Sequence, residues 1–262
     1  MKTASEEVTD MIFLSKWSSQ TLCAGAELGV FDFLSRDRMR TASEVAAETG
    51  LDPALLYRLL RALASIGLLN EMPGHQFNLT ERGAVLRTDA PGSLRYMAML
   101  EGGPEHWAIW KHVPAMVREG RQNAFMREYG KIAFDHARAN PDGYGAVFGR
   151  AMSGFSAIQS AWALEALRDY DFSAVAGWCD VGGGHRHMMC SFLSTYPHLS
   201  GTVLDLPEVA PGSRQMSGRA SRSRADFTAS IARRSLRSGI RVAQTGTISS
   251  GRNSSMRTPG LC

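Results

Sequence analysis

Residues 176–184 read AGWCDVGGG, and residues 201–205 read GTVLD. Each stretch is a short apolar run that ends at glycines or at a carboxylate, and residues 188–196 between them can form a helix. Together they predict a strand, a glycine-rich turn, a helix and a second strand with Asp205 at its tip. This order is typical of an α/β unit with parallel strands.

The glycines of the turn and the carboxylate after the second strand have the chemistry of a nucleoside-cofactor site. Glycine lets the backbone approach a ligand closely, and the carboxylate of Asp205 can accept hydrogen bonds from both hydroxyls of a ribose. A dinucleotide fingerprint would need a glycine at position 187, where this chain has His187. The spacing therefore disfavours NAD and favours a cofactor without phosphates, such as S-adenosylmethionine.

The first hundred residues predict short helices and a hairpin. Thr41 to Glu44 form a capping box, and Asp52-Pro53 begins the next helix, which carries a stripe of leucines. Two short runs joined across Pro73-Gly74 predict strands. The order helix, turn, helix, hairpin is that of a winged helix.

That unit is predicted to serve dimerisation rather than DNA recognition. Residues 1–100 carry ten Lys and Arg against twelve Asp and Glu, whereas DNA affinity depends on neutralising phosphates. Upstream of the capping box, Leu28, Phe31 and Leu34 recur at helical spacing, which predicts a helix that continues through Gly29. Residues 101–170 read as mostly helical.

The composition is that of a globular chain, with 262 residues, 44% hydrophobic and 21% charged. No apolar run approaches the roughly 20 residues that a transmembrane helix needs, and the acidic start lacks a signal-peptide pattern. We therefore expect no membrane partner and a cytoplasmic location. The four cysteines have neither CxxC pairing nor metal-ligand spacing, so no metal site is predicted.

The last fifty residues differ from the rest of the chain. Residues 213–262 contain ten Arg, no Lys and one Asp, although the net charge of the whole chain is only +4. Apolar positions are sparse there, which predicts a basic, disordered tail. Contact with nucleic acid is expected only non-specifically, through this tail.

The stretch DVGGG, followed by YPHLSGTVLDLPEV, resembles the cofactor motif of the S-adenosylmethionine-dependent small-molecule O-methyltransferases, the family of the caffeic acid, hydroxyindole and bacterial polyketide enzymes. The segments EHWAIW, NPDGYGAVFGRAMS and LTERG are also similar to that family, over about residues 12–212. The resemblance implies a mainly α N-terminal winged-helix dimerisation domain followed by an incomplete α/β Rossmann-like methyltransferase domain. The implied divisions are residues 1–100 for dimerisation, 101–170 as a helical region lining the substrate pocket, 171–212 for S-adenosylmethionine and 213–262 as the tail.

The resemblance also implies an activity and a set of contacts. It implies a homodimeric enzyme that transfers a methyl group from S-adenosylmethionine to a hydroxyl of a small aromatic or polyketide-like acceptor. Cofactor contacts carried over by position fall on Gly182, Gly184 and Asp205. Phe148, Met152 and Ser156 are implied, by the same comparison, to lie near the cofactor or the acceptor.

Two departures from the family pattern bear on activity. The pattern is similar to DxGGGxG, and Arg186 stands at its last glycine, so we expect impaired cofactor binding; pairing of its guanidinium with the cofactor's carboxylate is the alternative. After about residue 212 the resemblance ends, and the lysine-free tail resembles a change of reading frame. The expected histidine general base has no counterpart, so no catalytic residue is assigned. A non-catalytic dimerising protein and a winged-helix DNA-binding regulator are the alternative functions.

Overall fold

A computed structural model describes residues 2–184, 186–204, 220–222 and 241–244, with side chains up to residue 203. The chain divides into two compact units, Met1–Gln159 and Ser160–Cys262. Within the described ranges, no helix is both long and apolar enough to cross a bilayer.

The first unit contains most of the helices and one small sheet. Its helices are α1 (Ala4–Glu27), α2 (Ala42–Thr49), α3 (Pro53–Ser65), α4 (Glu81–Ala84), α5 (Arg95–Gly102), α6 (Pro104–Ile109), α7 (Val113–Glu119), α8 (Ala124–Tyr129), α9 (Ala133–Ala139) and most of α10 (Tyr144–Ala166), with 3₁₀ turns at Val30–Phe33 and Trp110–His112. Its strands are β1 (Arg40–Thr41), β2 (Leu69–Met72) and β3 (Gln76–Leu79), in the antiparallel order β1-β3-β2.

The predicted helix starts of this unit are confirmed. At α2, the Thr41 hydroxyl accepts a hydrogen bond from the backbone N–H of Glu44 at 3.2 Å, and the Glu44 carboxylate accepts one from the N–H of Thr41 at 2.6 Å. Asp52 caps α3 by accepting from the N–H of Leu55 at 2.7 Å, with proline at the first helical position. Each cap satisfies backbone donors that a helix start leaves without an intrahelical partner.

The predicted hairpin is also confirmed, and it packs on the helices. Leu69 pairs with Leu79, and the side chains of both are buried. They belong to a hydrophobic core in which the inward faces of the first helices and of the sheet are shielded from water. The largest fully buried members of that core are Phe31, Phe77, Leu34, Leu60, Leu63, Val30 and Val45.

The prediction of one helix through Gly29 is wrong. α1 ends two residues earlier, and Gly29 has a φ of 67°, in the left-handed region that glycine adopts without a steric cost. A four-residue 3₁₀ turn follows. Phe31 and Leu34 are nevertheless buried, whereas Leu28 is 43% exposed, so the spacing located two of the three expected core residues but not the backbone that carries them.

Gly83 explains why the LTERG segment contains a glycine. Thr80 caps α4, and its hydroxyl donates at 2.9 Å to the carbonyl of Leu68, the residue just before β2, which draws the helix against the start of that strand. A Cβ at Gly83 would overlap that same carbonyl oxygen. Only glycine allows the two backbones to approach this closely.

The second unit contains a parallel sheet and α11 (His187–Thr195). Its strands are β4 (Gly177–Val181), β5 (Ser200–Leu204), β6 (Ala220–Arg222) and β7 (Arg241–Gln244), in the order β6-β5-β4-β7. The predicted strand, turn, helix and strand over residues 176–205 are therefore confirmed as far as residue 204.

Two short segments within residues 213–262 pair with this sheet. β6 pairs in parallel with β5, and β7 pairs in parallel with β4, so the two predicted strands are flanked on both sides. Central strands in a parallel sheet have both edges hydrogen-bonded, which removes the exposed edges that two strands alone would leave.

Candidate functional site

A sharp turn of three glycines follows β4 and forms the core of the site. Gly182 and Gly184 have φ values of 77° and 49°, a region that residues with a Cβ enter only at a cost. Apart from its chain neighbours, no atom of the described residues lies within 4 Å of the point that a Cβ of Gly184 would occupy. Among the described residues, the backbone at Gly184 therefore has open space beside it; whether a cofactor binds there stays a prediction.

Gly183 is required for a different reason. A Cβ there would lie 2.7 Å from the carboxylate of Asp180 and 3.0 Å from Cγ1 of Val203. Asp180 is fully buried on β4, and Val203 follows on β5, directly opposite Asp180 in the sheet register. The middle glycine is thus the residue at which the turn packs against both strands.

Arg186 begins α11 in an unusual conformation. Its φ is 69°, and its own N–H donates to the carbonyl of Gly183 at 2.8 Å, which closes the turn. Its carbonyl accepts from the N–H of Cys190 at 2.8 Å, which starts the helix. The position therefore keeps the backbone geometry that favours glycine, although it carries an arginine that is only 6% exposed.

An apolar cluster within the second unit holds the strand, turn and helix together. The indole of Trp178 on β4 stacks on the ring of Phe192 on α11, with centroids 4.3 Å apart and planes 15° apart. Met189 packs so closely on Gly201 of β5 that a Cβ would overlap its sulfur atom. This packing fixes the start of α11 relative to the ends of the strands.

The predicted cofactor contacts are only partly described. Gly182 and Gly184 lie in the turn, with the conformations given above. β5 ends at Leu204, which pairs with Val181. Asp205, the predicted ribose ligand, lies outside the described residues, so its role stays a prediction.

Phe148, Met152 and Ser156 lie on α10, within the first unit. The rings of Phe148 and Tyr144 are 5.9 Å apart, and Phe148 and Met152 pack against the buried cluster of Leu100, Tyr144 and Ala151. Phe148 and Met152 therefore contribute to a local core. Contact of the three α10 residues with a cofactor or an acceptor stays a prediction.

A polar chain that the sequence did not predict runs through the same cluster. Nδ1 of His106 lies 3.3 Å from the Glu101 carboxylate, and its Nε2 lies 3.0 Å from the hydroxyl of Tyr144. Burial raises the pKa of Tyr144 to about 12. His106 and Tyr144 are 38 residues apart, so no local pattern could connect them, although EHWAIW and NPDGYG each contain one member.

The sequence predicts no metal site, and that prediction can be compared with the described side chains only. Residues 2–184 and 186–203 contain no group of three or more His, Cys, Asp or Glu side chains that could hold an ion. Cys23, Cys179 and Cys190 are free thiols, and burial raises the pKa of the first two. Cys262 lies outside the described residues.

Comparison with protein families assigns both parts of the chain. Residues 11–89 match the model of the O-methyltransferase dimerisation domain, and residues 110–234 match that of the O-methyltransferase domain. The chain belongs to the O-methyltransferase family. The second match continues past residue 212, so the expectation that the family resemblance ends there is wrong.

Curated relatives support this membership. The chain is 32% identical over 194 residues to phenazine O-methyltransferase PhzM of Lysobacter antibioticus, covering 74% of this chain and 55% of that protein. It is 31% identical over 220 residues to the mitomycin biosynthesis 6-O-methyltransferase of Streptomyces lavendulae, covering 82% of this chain and 60% of that protein. This O-methyltransferase chain thus spans a little more than half the length of these two relatives.

Solved structures show the same fold. The structure of LaPhzM superposes with a TM-score of 0.76 at 29% identity, covering 86% of this chain and 68% of that one. Human N-acetylserotonin methyltransferase, solved in complex with SAM, superposes with a TM-score of 0.74 at 27% identity, covering 87% and 67%. The architecture is therefore a dimerisation domain followed by a methyltransferase domain with helices and a small sheet.

Proposed function

We propose that this chain binds S-adenosylmethionine at the glycine turn and transfers its methyl group to a hydroxyl of a small aromatic or polyketide-like acceptor. The observation that carries the proposal is the turn itself, where Gly182 and Gly184 are left-handed and open space lies beside Gly184. Membership of the O-methyltransferase family supports it, as do the names of the phenazine and mitomycin relatives. Those names favour methyl transfer over a non-catalytic dimerising protein or a DNA-binding regulator.

The residues present fit such a cofactor. It supplies a methyl group activated on a sulfonium, which leaves the protein to bind and orient both partners. Gly182 and Gly184 would approach the cofactor with backbone, and Asp205 would accept hydrogen bonds from the ribose hydroxyls. Phe148, Met152 and Ser156 are proposed to lie near the cofactor or the acceptor.

We propose the winged-helix and Rossmann-like assignments as the finer description of the fold. The helices α2 and α3 followed by the β2–β3 hairpin support the first. The parallel β4 and β5 with α11 between them support the second, as an incomplete α/β domain. The divisions at residues 100, 170 and 212 stay part of this proposal.

A homodimer is the proposed assembly. α1 carries large apolar side chains that are exposed in the single chain, which is unusual for a protein that works as a monomer. The match of residues 11–89 to a dimerisation domain supports a second copy as the partner. The exposed side chains are Val8, Met11, Ile12, Phe13, Leu14 and Trp17.

Calorimetric titration of S-adenosylhomocysteine into the full chain tests the cofactor site. We expect saturable binding by the wild type and at least tenfold weaker binding by Gly184→Ala, because the new methyl group enters the space beside the turn. Gly50→Ala is the matched control, since Gly50 is also left-handed with no atom within 4 Å of its Cβ position, but lies in the first unit. It should bind like the wild type. Absence of binding by the wild type, or equal effects of both variants, would overturn the proposal.

A further inference from the structure

The first half of α1 is not covered by the rest of the described chain. Of the fourteen residues from Ala4 to Trp17, thirteen are exposed. The second half of the helix is anchored instead, since Gln20 donates to the carbonyl of Gly102 at the end of α5 at 2.9 Å and Cys23 is buried. The uncovered segment, residues 4–17, is about 21 Å long at the rise of an α-helix.

The large apolar side chains of this segment point in all directions. Successive residues of an α-helix are turned by about 100°, so the six apolar positions leave no arc wider than about 100° without an apolar side chain. A helix that is apolar on all sides is normally enclosed by protein, whereas a helix that lies on a surface has one polar face. The six residues are Val8, Met11, Ile12, Phe13, Leu14 and Trp17, with exposed fractions between 47% and 69%.

One partner helix cannot enclose such a segment. A helix packed alongside covers an apolar stripe about 100° wide, so at least two partner surfaces are needed. The exposed fractions correspond to roughly 700 Å² of surface, close to the about 800 Å² per partner that a specific interface buries. The match of residues 11–89 to a dimerisation domain favours a second copy of this chain as the occupant.

Two exposed tryptophans provide a second surface beside α1. Nζ of Lys16 on α1 lies 5.9 Å from the ring centroid of Trp107 on α6. Trp107 is 39% exposed, and Trp110, which follows α6, is 66% exposed. We call these two residues the tryptophan surface. Indole rings of this kind are enriched at protein interfaces, where they pack against aliphatic side chains.

Twofold symmetry explains why the second surface must lie close to α1. An interface of this symmetry uses the same patch on both copies, so two α1 helices that pair across the axis each lie beside the other copy's α1. Any further surface that covers the incoming helix therefore lies next to the receiving copy's own α1. The contact between Lys16 and Trp107 places the tryptophan surface there.

We propose that residues 4–17 pack between α1 and the tryptophan surface of a second copy, which inserts its own α1 in the same way. This inference rests on the proposed homodimer and adds the surface that receives the helix. Trp107 and Trp110 lie outside residues 11–89, so the interface extends beyond the part of the chain that matches the dimerisation domain.

A charge placed on the tryptophan surface tests the assignment. In sedimentation velocity over a concentration series of the full chain, Trp110→Glu should weaken the dimer at least tenfold, since symmetry places the charge in the interface twice. Trp162→Glu is the matched control, because Trp162 on α10 is 63% exposed and lies in the second unit. It should change the dissociation constant less than threefold. Trp110→Phe, which keeps an aromatic ring, should dimerise like the wild type.

Photo-crosslinking tests the same contact without adding a charge. Trp110 is replaced by p-benzoylphenylalanine in a ¹⁵N-labelled chain, which is mixed with unlabelled chain and irradiated. We expect crosslinks from position 110 to residues 4–17 of the unlabelled copy, identified by mass spectrometry. The same group at position 162 should give no crosslink to residues 4–17 of the other copy.

The remaining outcomes separate this inference from the proposals on which it rests. A Trp110→Glu chain that dimerises like the wild type, or crosslinks from position 110 that do not reach residues 4–17 of the other copy, would overturn the inference alone. Equal weakening by Trp110→Glu and Trp162→Glu would indicate a general effect of charge and would also overturn it. A wild-type chain that stays monomeric would overturn the homodimer and the inference together. Titration of S-adenosylhomocysteine tests the cofactor site independently of all these results.

Discussion

Replacement of the middle glycine tests whether the turn depends on close packing or on backbone freedom. Gly183 is not left-handed, so alanine is compatible with its backbone. Its Cβ would instead lie 2.7 Å from the buried Asp180 carboxylate, which cannot move into solvent, and 3.0 Å from Val203. Overpacking of this kind costs about 3 kcal/mol. The Cβ of Gly184→Ala meets no neighbour in the described part of the chain, so this variant should cost about 1 kcal/mol through its positive φ alone.

The difference of about 2 kcal/mol corresponds to a roughly 30-fold change in the ratio of folded to unfolded molecules. Hydrogen exchange of the β4 and α11 amides, followed by mass spectrometry, measures this difference in stability within the second unit. The double variant Asp180→Ala with Gly183→Ala should be about 2 kcal/mol more stable than the two single effects predict, because the clash is gone. Equal losses for Gly183→Ala and Gly184→Ala, or additive effects in the double variant, would refute the reasoning.

Three further predictions concern the first unit. Gly83→Ala should destabilise it by about 3 kcal/mol because its Cβ overlaps a backbone carbonyl, whereas Gly74→Ala, in open space, should cost about 1 kcal/mol; urea unfolding that gave equal values would contradict this. Between pH 10 and 12 the free energy of unfolding should fall by up to about 1.4 kcal/mol per pH unit, because unfolded tyrosine ionises near 10 while the pKa of Tyr144 is raised to about 12. In unfolding curves collected between pH 10 and 12, Tyr144→Phe should show a smaller fall of the free energy of unfolding with pH. An unchanged fall would mean that other titrating groups cause it. Trp17→Glu should convert the homodimer to a monomer in light scattering coupled to size-exclusion chromatography, while the exposed Val117→Glu on α7 should not; a dimer that tolerates both charges would exclude α1 as the interface.

Helix starts and strands could be predicted from the sequence where they depend on residues that are close together along the chain. The capping box of Thr41 and Glu44 and the cap at Asp52 need only residues three apart, so each helix start follows from local hydrogen bonding. The strands around the glycine triplet follow from apolar runs bounded by turn residues. Membership of the methyltransferase family followed from the same stretch.

Features that depend on distant partners could not be predicted. At the end of α1, Arg95 donates to the carbonyl of Ala26 at 2.8 Å, and its guanidinium lies 3.0 Å from the position of a Cβ on Gly29. β7 pairs with β4 across 63 residues, as Trp178 does with Arg241, and β6 pairs with β5 across 19 residues, as Gly201 does with Ala220. The sparse apolar pattern of these segments indicated disorder instead. Long-range pairing of this kind is decided by the sheet edge that is available, more than by the residues of the strand.

The amino-acid sequence alone determined the class of the chain, the position of its glycine turn and the chemistry expected there, because these depend on residue types at short spacings. Only the tertiary structure decided which glycine serves packing and which serves backbone conformation, and that Arg186 is buried in a left-handed conformation. The physical reason is that burial and close approach are properties of side chains brought together by folding. A charge pattern along the chain does not reveal them.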